Sequence, residues 1–344
     1  MSTSDHVLAL DSGGSKTVCL LARADGAVLA AARGRGAAAT TEVPGAALEA
    51  LTPVVTEALR ALPTDGRLVG VYACLGGLNR AAVSTALQHL CGSAPVAVVR
   101  ESAGEVVYCC APYWGFDLAI MAGTGSIALG INDAGERRVC GGWGPLVHDR
   151  GSGYDIGRQA LQALAETLDY RGPATLLLPA ICRKPPFVES WPQDELLDQA
   201  PADLTYEQRL ALKEAIKQAY PRLERSTVAG LFPVVADCAR RGDVLALGIL
   251  REAAAALAAM VCALARELRL AQPRIVALGG VFASREPMLS LFTAAMHGSC
   301  PGAVVTPSDF SLIRGAVVVA LQRAGLPVDT GLVERVRATA ARVL

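Results

Sequence analysis

The sequence has no excess of charge of either sign, because Lys+Arg and Asp+Glu both number 32 in its 344 residues. Without a net charge there is no overall field to draw the chain to nucleic acid or to an anionic membrane. We therefore expect a small molecule as the partner. With 52% hydrophobic residues, the chain is long enough to bury two cores of ordinary domain size.

Two further absences concern compartment and membrane. The ten cysteines include no CxxC pair, and the opening residues, MSTSDHVLALDSGG, lack a basic segment followed by an apolar one. These features predict a reduced, cytoplasmic protein. The most apolar run, residues 253–265, lies between Arg251 and Arg266 and is shorter than the roughly 20 residues that a membrane-spanning helix needs. We interpret it as a buried helix.

What the sequence does contain is a layout that occurs twice. Three short β-prone runs at 7–11, 17–23 and 27–32 are separated by SGGS and Asp-Gly, which predicts an antiparallel meander. Helical and strand patterns alternate up to residue 99, as in α/β proteins. Three similar runs then follow, and the two sets lie roughly 110 residues apart. The sequence therefore predicts two halves built alike.

The same pattern suggests where the domains divide. We expect an N-terminal lobe at residues 1–115 and a C-terminal lobe at 116–311. The stretch from about 171 to 225 is rich in proline and then in charge, which predicts a helical insertion in the second lobe. The last helices, at 312–344, are expected to return to the N-terminal lobe.

Each predicted meander has a Gly-rich turn between its first two strands. Glycine lets backbone N–H groups approach a phosphate, although a single turn of this kind is as readily an ordinary tight turn. The first turn, in the stretch DSGGSKT at 11–17, has neither the spacing of a Walker A loop nor that of the strand-to-helix GxGxxG dinucleotide motif. Two such turns at equivalent places favour a nucleotide-phosphate clamp, whose candidate residues are Gly13, Gly14, Ser15, Lys16, Thr17, Gly123, Thr124, Gly125 and Ser126.

Two carboxylates follow predicted strands. Asp11 ends the first strand beside small residues and suits Mg²⁺, which takes only one or two protein carboxylates and keeps several waters; the alternative is an ordinary turn residue. Glu101 follows an apolar strand and begins a helix, so it suits a general base that accepts a hydroxyl proton. The alternative for Glu101 is an acidic residue favoured by the helix dipole.

Two other Gly-rich segments are candidates for binding. Gly279 and Gly280 end a predicted strand and could pack against an adenine ring, or could simply form a turn. The run from 141 to 153 is the densest in glycine and polar residues. Its Gly142, Trp143 and Asp149 could offer a stacking face and hydrogen bonds to sugar hydroxyls, or could form a connection whose Trp fills the core.

Taken together, these motifs resemble the N-acetylglucosamine kinase family, within the BadF/BadG/BcrA/BcrD-type ATPases of the actin and hexokinase superfamily. Their order and spacing cover most of the chain. The matching stretches are DSGGSKT at 11–17, LGGLNR at 75–80, AGTGSIALG at 122–130, GGWGPLVHDRGSGYDIGRQAL at 141–161, VVADCARRGD at 234–243 and LGGVF at 278–282.

The resemblance implies a fold and a set of roles. The fold is a duplicated actin-like, ribonuclease H-like two-lobed ATPase fold of the α/β class with a central cleft. The cofactors are ATP and Mg²⁺, the substrate is a sugar or amino sugar, and a homodimer is compatible with the family. The resemblance assigns the turns at Asp11–Ser15 and Gly123–Ser126 to phosphate, the turn at Gly279 and Gly280 to adenosine, and Gly142, Trp143 and Asp149 to the sugar.

Three departures from the family pattern lie on the sugar side. Glu101 stands where the family usually has Asp, which lengthens the base by one methylene. Arg150 replaces the usual acidic residue after Asp149, and the segment 36–41 lacks the sugar-binding asparagine. We therefore expect ATP handling to be kept and the acceptor to differ from plain N-acetylglucosamine.

Two other classes of function stay open. The first is an ATPase that drives a partner, like the dehydratase activators of the same superfamily. Those proteins carry a cluster-binding cysteine just before the second phosphate loop, where this chain has Ile120-Met121-Ala122. The second is a sugar sensor without catalysis, which the departures on the sugar side would also fit.

Overall fold

The computed structural model describes residues 4–13, 16–36, 46–75, 80–99, 102–190, 203–283, 286–306 and 308–344. The chain divides into two compact units, one made of Met1–Asp117 with Pro307–Leu344 and the other of Leu118–Thr306.

The first unit is built on a five-stranded sheet. Its strands lie in the order β3-β2-β1-β4-β5, with β1 antiparallel to β2 and parallel to β4. Helix α12 packs on β1 and β4, and helix α13 packs on β3. The elements of this unit are β1 (Asp5–Ser12), β2 (Lys16–Arg23), β3 (Val28–Arg35), α1 (Ala46–Leu59), β4 (Arg67–Leu75), α2 (Arg80–Cys91), β5 (Val96–Val99), α3 (Ser102–Trp114), α12 (Leu312–Arg323) and α13 (Thr330–Val343).

The second unit has a sheet of the same design. Its strands lie in the order β10-β9-β6-β7-β8, with β6 antiparallel to β7 and parallel to β9. The elements are β6 (Leu118–Ala122), β7 (Ser126–Ile131), β8 (Arg137–Gly141), α4 (Gly153–Leu168), α5 (Leu177–Cys182), α6 (Tyr206–Ala219), α7 (Arg225–Ala229), α8 (Phe232–Arg240), α9 (Val244–Glu267), β9 (Arg274–Leu278), α10 (Gly280–Ala283), α11 (Met288–Ser299) and β10 (Val304–Val305).

Each sheet thus consists of an antiparallel meander followed by two parallel strands. This arrangement confirms the predicted duplication and the α/β class. The hairpin loops also correspond, because three residues join β1 to β2 and three join β6 to β7. In the second unit, α7 and α8 are separate helices, with Gly230 and Leu231 between them. Pro233 lies in the first turn of α8, where its missing N–H is tolerated and an uninterrupted helix is disfavoured.

Helix α9 forms the centre of the second unit. Among the described residues it is the helix that is long and apolar enough to cross a membrane, yet half of its most apolar stretch is buried inside the protein. Its Leu250, Leu257 and Val261 are fully buried in the core, where the helix packs against α8, α11 and β7. A core helix can have the same length and hydropathy as a membrane helix, because both are apolar on most faces.

Candidate functional site

The first candidate loop joins β1 to β2. The Gly13 N–H donates to the carbonyl oxygen of Lys16 at 3.0 Å, which closes the hairpin. Gly13 and Lys16 are both exposed. Gly14 and Ser15, the other two residues predicted to bind phosphate here, lie outside the described residues. The described part of this loop is therefore a tight turn with an exposed backbone and a lysine beside it.

Asp11 lies two residues before this turn, at the end of β1. It is paired with Val18 on one side and with Cys74 on the other, so its strand is held from both edges. Burial raises the pKa of the Asp11 carboxyl to about 6, and the nearby Lys16 lowers it in part. Asp11 therefore has a desolvated carboxyl that a cation would stabilise in its ionised form.

Thr17 occupies a different position from the other loop residues. Its hydroxyl is fully buried, donates to the carbonyl oxygen of Arg35 at 2.7 Å, and lies 2.7 Å from the Ser12 hydroxyl. These contacts tie β1, β2 and β3 together behind the turn. The predicted role of Thr17 in cofactor binding stays a prediction, and the structure gives this hydroxyl an evident part in holding the sheet.

The second candidate loop joins β6 to β7. The Gly123 N–H donates to the carbonyl oxygen of Gly125 at 2.9 Å, much as Gly13 closes the first hairpin. The Gly123 carbonyl accepts from the Gly153 N–H at 2.7 Å, which ties the loop to the start of α4. Ser126 is buried, and its hydroxyl donates to the Arg150 carbonyl at 2.9 Å. Of the residues proposed for phosphate here, Thr124 keeps a partly exposed side chain.

The glycines of these loops are of two kinds. A Cβ added to Gly13, Gly123 or Gly280 would meet no heavy atom of the described residues within 4 Å, and none of the three has a positive φ. Neither packing nor backbone conformation therefore requires glycine at these positions. What glycine does there is leave the backbone accessible, and this is the property that a phosphate or a nucleotide base needs.

Other glycines in the region are needed by the fold itself. Gly279 has φ +97°, and a Cβ there would lie 2.4 Å from the carbonyl oxygen of Ala122. This close approach brings the turn after β9 against the end of β6, directly before the second hairpin loop. The predicted adenosine-side turn thus pairs a structural glycine, Gly279, with an open one, Gly280.

The loop between β8 and α4 contains the residues predicted to bind the sugar. Gly142 has φ +74° and Trp143 is 69% exposed, so the indole is available to a ligand. Asp149 is 5% exposed, and its carboxylate accepts from the Gly144 N–H at 3.1 Å. The alternative in which Trp143 fills the core is wrong, because the residue is largely exposed, whereas its predicted contact with the sugar stays a prediction.

Arg225, at the start of α7, is a residue that the sequence analysis missed. Its guanidinium pairs with the Asp149 carboxylate at 2.6 Å, although 76 residues separate the two in sequence. A single Arg in a charged stretch gives no sequence signal of such a contact.

Glu101 lies outside the described residues, between β5 and α3, and so does most of the LGGLNR stretch. For metal binding, the part of the chain that the structure describes has no group of three or more His, Cys, Asp or Glu side chains. A single carboxylate such as Asp11 still fits Mg²⁺, which relies on waters and substrate phosphates for its other ligands.

Comparison with known proteins identifies relatives of this chain. The chain matches the model of the BadF/BadG/BcrA/BcrD ATPase family over residues 8–320. It is 28% identical over 205 residues to an N-acetylmuramic acid/N-acetylglucosamine kinase of Clostridium acetobutylicum, and the match covers 59% of this chain and 60% of that protein. The chain thus spans about 60% of the length of the curated relatives it matches.

Two solved structures share the fold. A candidate N-acetylglucosamine kinase from Chromobacterium violaceum matches with a TM-score of 0.65 at 22% identity, over 93% of this chain and 100% of that one. A ROK family glucokinase from Streptomyces griseus, in complex with glucose and AMPPNP, matches with a TM-score of 0.55 at 17% identity, over 92% and 99%.

These likenesses confirm the predicted duplicated, two-lobed actin-like ATPase fold. At such low sequence identities, structural similarity shows only the fold, because one fold supports many functions. The family model is more specific, since it extends from β1 through both hairpin loops and into α12. The chain therefore belongs to the BadF/BadG/BcrA/BcrD ATPase family.

Proposed function

We propose that this protein is an ATP-dependent kinase that transfers the γ-phosphoryl group to a hydroxyl of a sugar or amino sugar. The observation that carries the proposal is the pair of equivalent hairpin loops whose first glycines, Gly13 and Gly123, are required by neither packing nor backbone conformation. Membership of an ATPase family and the names of the matching kinases support it.

Each part of the proposed site has a role in this reaction. The hairpin loops bind phosphate through backbone N–H groups, and the turn at Gly279 and Gly280 lies on the adenosine side. Asp11 would hold Mg²⁺, which would supply positive charge to neutralise the transferring phosphates. The raised pKa of the partly buried Asp11 carboxyl supports this assignment, because a cation would stabilise its ionised form.

Acceptor binding is assigned to the loop between β8 and α4. The exposed ring of Trp143 offers a stacking face, and the backbone at Gly142 is accessible beside it. Glu101 is the proposed general base, by resemblance to the family's aspartate. The substitutions at Glu101 and Arg150 both concern the acceptor, so we propose a sugar or amino sugar other than plain N-acetylglucosamine as the preferred substrate.

The test is ADP production with and without a panel of sugars, amino sugars and cyclitols. Turnover that depends on an added sugar supports the kinase. Sugar-independent turnover would replace it with an activator-type ATPase, and no turnover with any acceptor would replace it with a sensor. Dependence on Mg²⁺ is measured in the same assay by adding a chelator.

The proposed base is tested by Glu101→Gln, which removes the proton acceptor and keeps the shape. We expect phosphoryl transfer to fall at least about 100-fold while ATP binding is unchanged. Glu49→Gln is the matched control, because Glu49 is an exposed glutamate in the first turn of α1. Full turnover in the Glu101 variant would remove this residue from the mechanism.

A further inference from the structure

The second hairpin loop lies against an ion pair in which the carboxylate is buried and the guanidinium is partly exposed. A Cβ added to Gly125 would lie 2.8 Å from Oδ2 of Asp149 and 3.0 Å from Nη2 of Arg225. The two side chains are themselves joined at 2.6 Å between Nη2 and Oδ2. A side chain at position 125 would therefore displace the Asp149 carboxylate or the Arg225 guanidinium, which lie directly against this glycine.

The two members of this pair differ in exposure. The Asp149 side chain is 3% exposed and the Arg225 side chain is 44% exposed. Oδ1 of Asp149 accepts from the Gly144 N–H, so both carboxylate oxygens have a partner. Among the described residues Arg225 has no hydrogen-bond partner except Asp149. The planar guanidinium thus uses one edge to bind Asp149 and keeps further N–H groups for a ligand.

A carboxylate beside a phosphate-binding loop poses an electrostatic problem. An unpaired Asp149 would repel the polyphosphate of a nucleotide bound at Gly123–Gly125, and its burial would weaken screening by water. The positive charge of Arg225 removes this repulsion. Its free N–H groups also suit phosphate oxygens, which guanidinium binds in a bidentate manner.

We propose that Arg225 contacts the terminal phosphates of the nucleotide at the second hairpin loop, and that Asp149 acts as the positioning residue that holds its guanidinium there. This inference rests on the proposed function, since it assumes that the loop receives a nucleoside triphosphate. It gives Asp149 a part on the phosphate side of the site, distinct from its predicted sugar contact.

The experiment measures binding of AMPPNP and of AMP to the full chain by titration calorimetry in the presence of Mg²⁺. Arg225→Gln should weaken AMPPNP binding at least about tenfold and leave AMP binding nearly unchanged, because AMP lacks the terminal phosphates. Arg225→Lys keeps the charge and loses the planar fork, so a smaller loss is expected. Adding Asp149→Asn to Arg225→Gln should restore part of the affinity by removing the unpaired carboxylate.

Arg158→Gln is the matched control. Arg158 pairs with Asp155 on α4 at 2.8 Å, with side-chain exposures of 45% and 9%, so it is an Arg–Asp pair of similar exposure that is not in contact with Asp149. Unchanged affinity in this variant is expected.

The outcomes separate the two proposals. Failure of the wild-type protein to bind AMPPNP overturns the nucleotide site and this inference with it. Wild-type binding with unchanged affinity in Arg225→Gln overturns the role of Arg225 alone. Should that variant not fold, Arg225→Lys decides, since equal losses for AMPPNP and AMP would show a purely structural role.

Discussion

At the scale of single residues, glycine has two separate uses in this protein. Gly279 is needed for the approach of its turn to Ala122, whereas a Cβ on Gly13 or Gly123 would touch none of the residues that the structure describes. The sequence shows all of these as Gly-rich turns and does not distinguish them. Distinguishing them requires the positions of neighbouring atoms, which come from strands distant in sequence.

This distinction predicts opposite effects of alanine substitution. Gly13→Ala and Gly123→Ala should leave the free energy of unfolding within about 0.5 kcal/mol of wild type, because their Cβ atoms meet nothing. Both should weaken ATP binding about tenfold by obstructing backbone N–H groups. Gly279→Ala should instead destabilise the protein by about 1–3 kcal/mol through backbone strain. Thermal melts and nucleotide titrations measure the two effects.

The control for these variants is Gly298→Ala, an exposed glycine in α11 with open space around it. It should change neither ATP binding nor, beyond a small gain from helix propensity, stability. Normal ATP affinity in both hairpin-loop variants would contradict the assignment of these loops to phosphate.

Asp11 gives a prediction of pH dependence. Burial raises the pKa of its carboxyl from 3.8 to about 6, so the ionised form destabilises the folded metal-free protein. Asp11→Asn removes that penalty. In a chelating buffer the variant should melt at a higher temperature than wild type above about pH 6. The difference should shrink as the pH falls and disappear below about pH 4, where the carboxyl is protonated in both states.

Asp25 is the control, because its pKa is shifted in the opposite direction. Its hydrogen bond and ion pair with Arg23 lower the pKa of its carboxyl to about 2, so the ionised form stabilises the fold above the unfolded pKa. Asp25→Asn should therefore lower the melting temperature at neutral pH. A lower melting temperature for Asp11→Asn under the same conditions would contradict the burial penalty. Loss of Mg²⁺-dependent turnover in Asp11→Asn is expected as well.

At the scale of elements, α4 and α7 form a junction behind the second hairpin loop. Helix α4 begins after Ser152, whose hydroxyl accepts from the Asp155 N–H, and Gly153 donates to the loop at Gly123. One turn later, a Cβ on Gly157 would lie 2.0 Å from the Val228 carbonyl oxygen. Glycine at 157 thus lets α7 pack directly on α4, and α7 begins with Arg225.

Gly157→Ala should therefore act on both stability and binding. The added methyl group has no room, so we expect a loss of about 1–3 kcal/mol in the free energy of unfolding. Movement of α7 should displace Arg225 and weaken nucleotide binding too. Gly248→Ala, in the interior of α9 with open space, is the matched control and should be neutral or stabilising by up to about 1 kcal/mol. An unchanged melting temperature for Gly157→Ala would refute the tight junction.

The elements also show how far the sequence could predict this fold. The hairpins were predictable because a strand, a Gly-rich turn and a returning strand are local patterns. The duplication followed from finding that pattern twice. The start of α8 has a local signal in Pro233, whereas β10 is too short to give a pattern. The pairing of Arg225 with Asp149 depends on tertiary packing, which periodicity does not reveal.

At the scale of the whole molecule, the chain returns at its end to the unit in which it began. Helix α13 packs against β3, and the Val28 N–H donates to the Thr339 hydroxyl at 2.9 Å across 311 positions of sequence. Leu332 and Val336 lie against the Gly26 turn between β2 and β3. The sheet that ends at Asp11 and Gly13 is therefore packed in part against the last helix of the chain.

This packing predicts that substitutions on the buried face of α13 lower the free energy of unfolding of the first unit. Val336 is fully buried, so Val336→Ala should cost about 1–3 kcal/mol by creating a cavity. Val343→Ala, on the same helix at 37% exposure, is the control and should cost less than about 0.5 kcal/mol. Hydrogen exchange should rise in β2 and β3 of the Val336 variant while the β6–β9 sheet keeps its protection, because the helix packs within the first unit. Equal loss of protection in both sheets would instead show that the two units unfold as one.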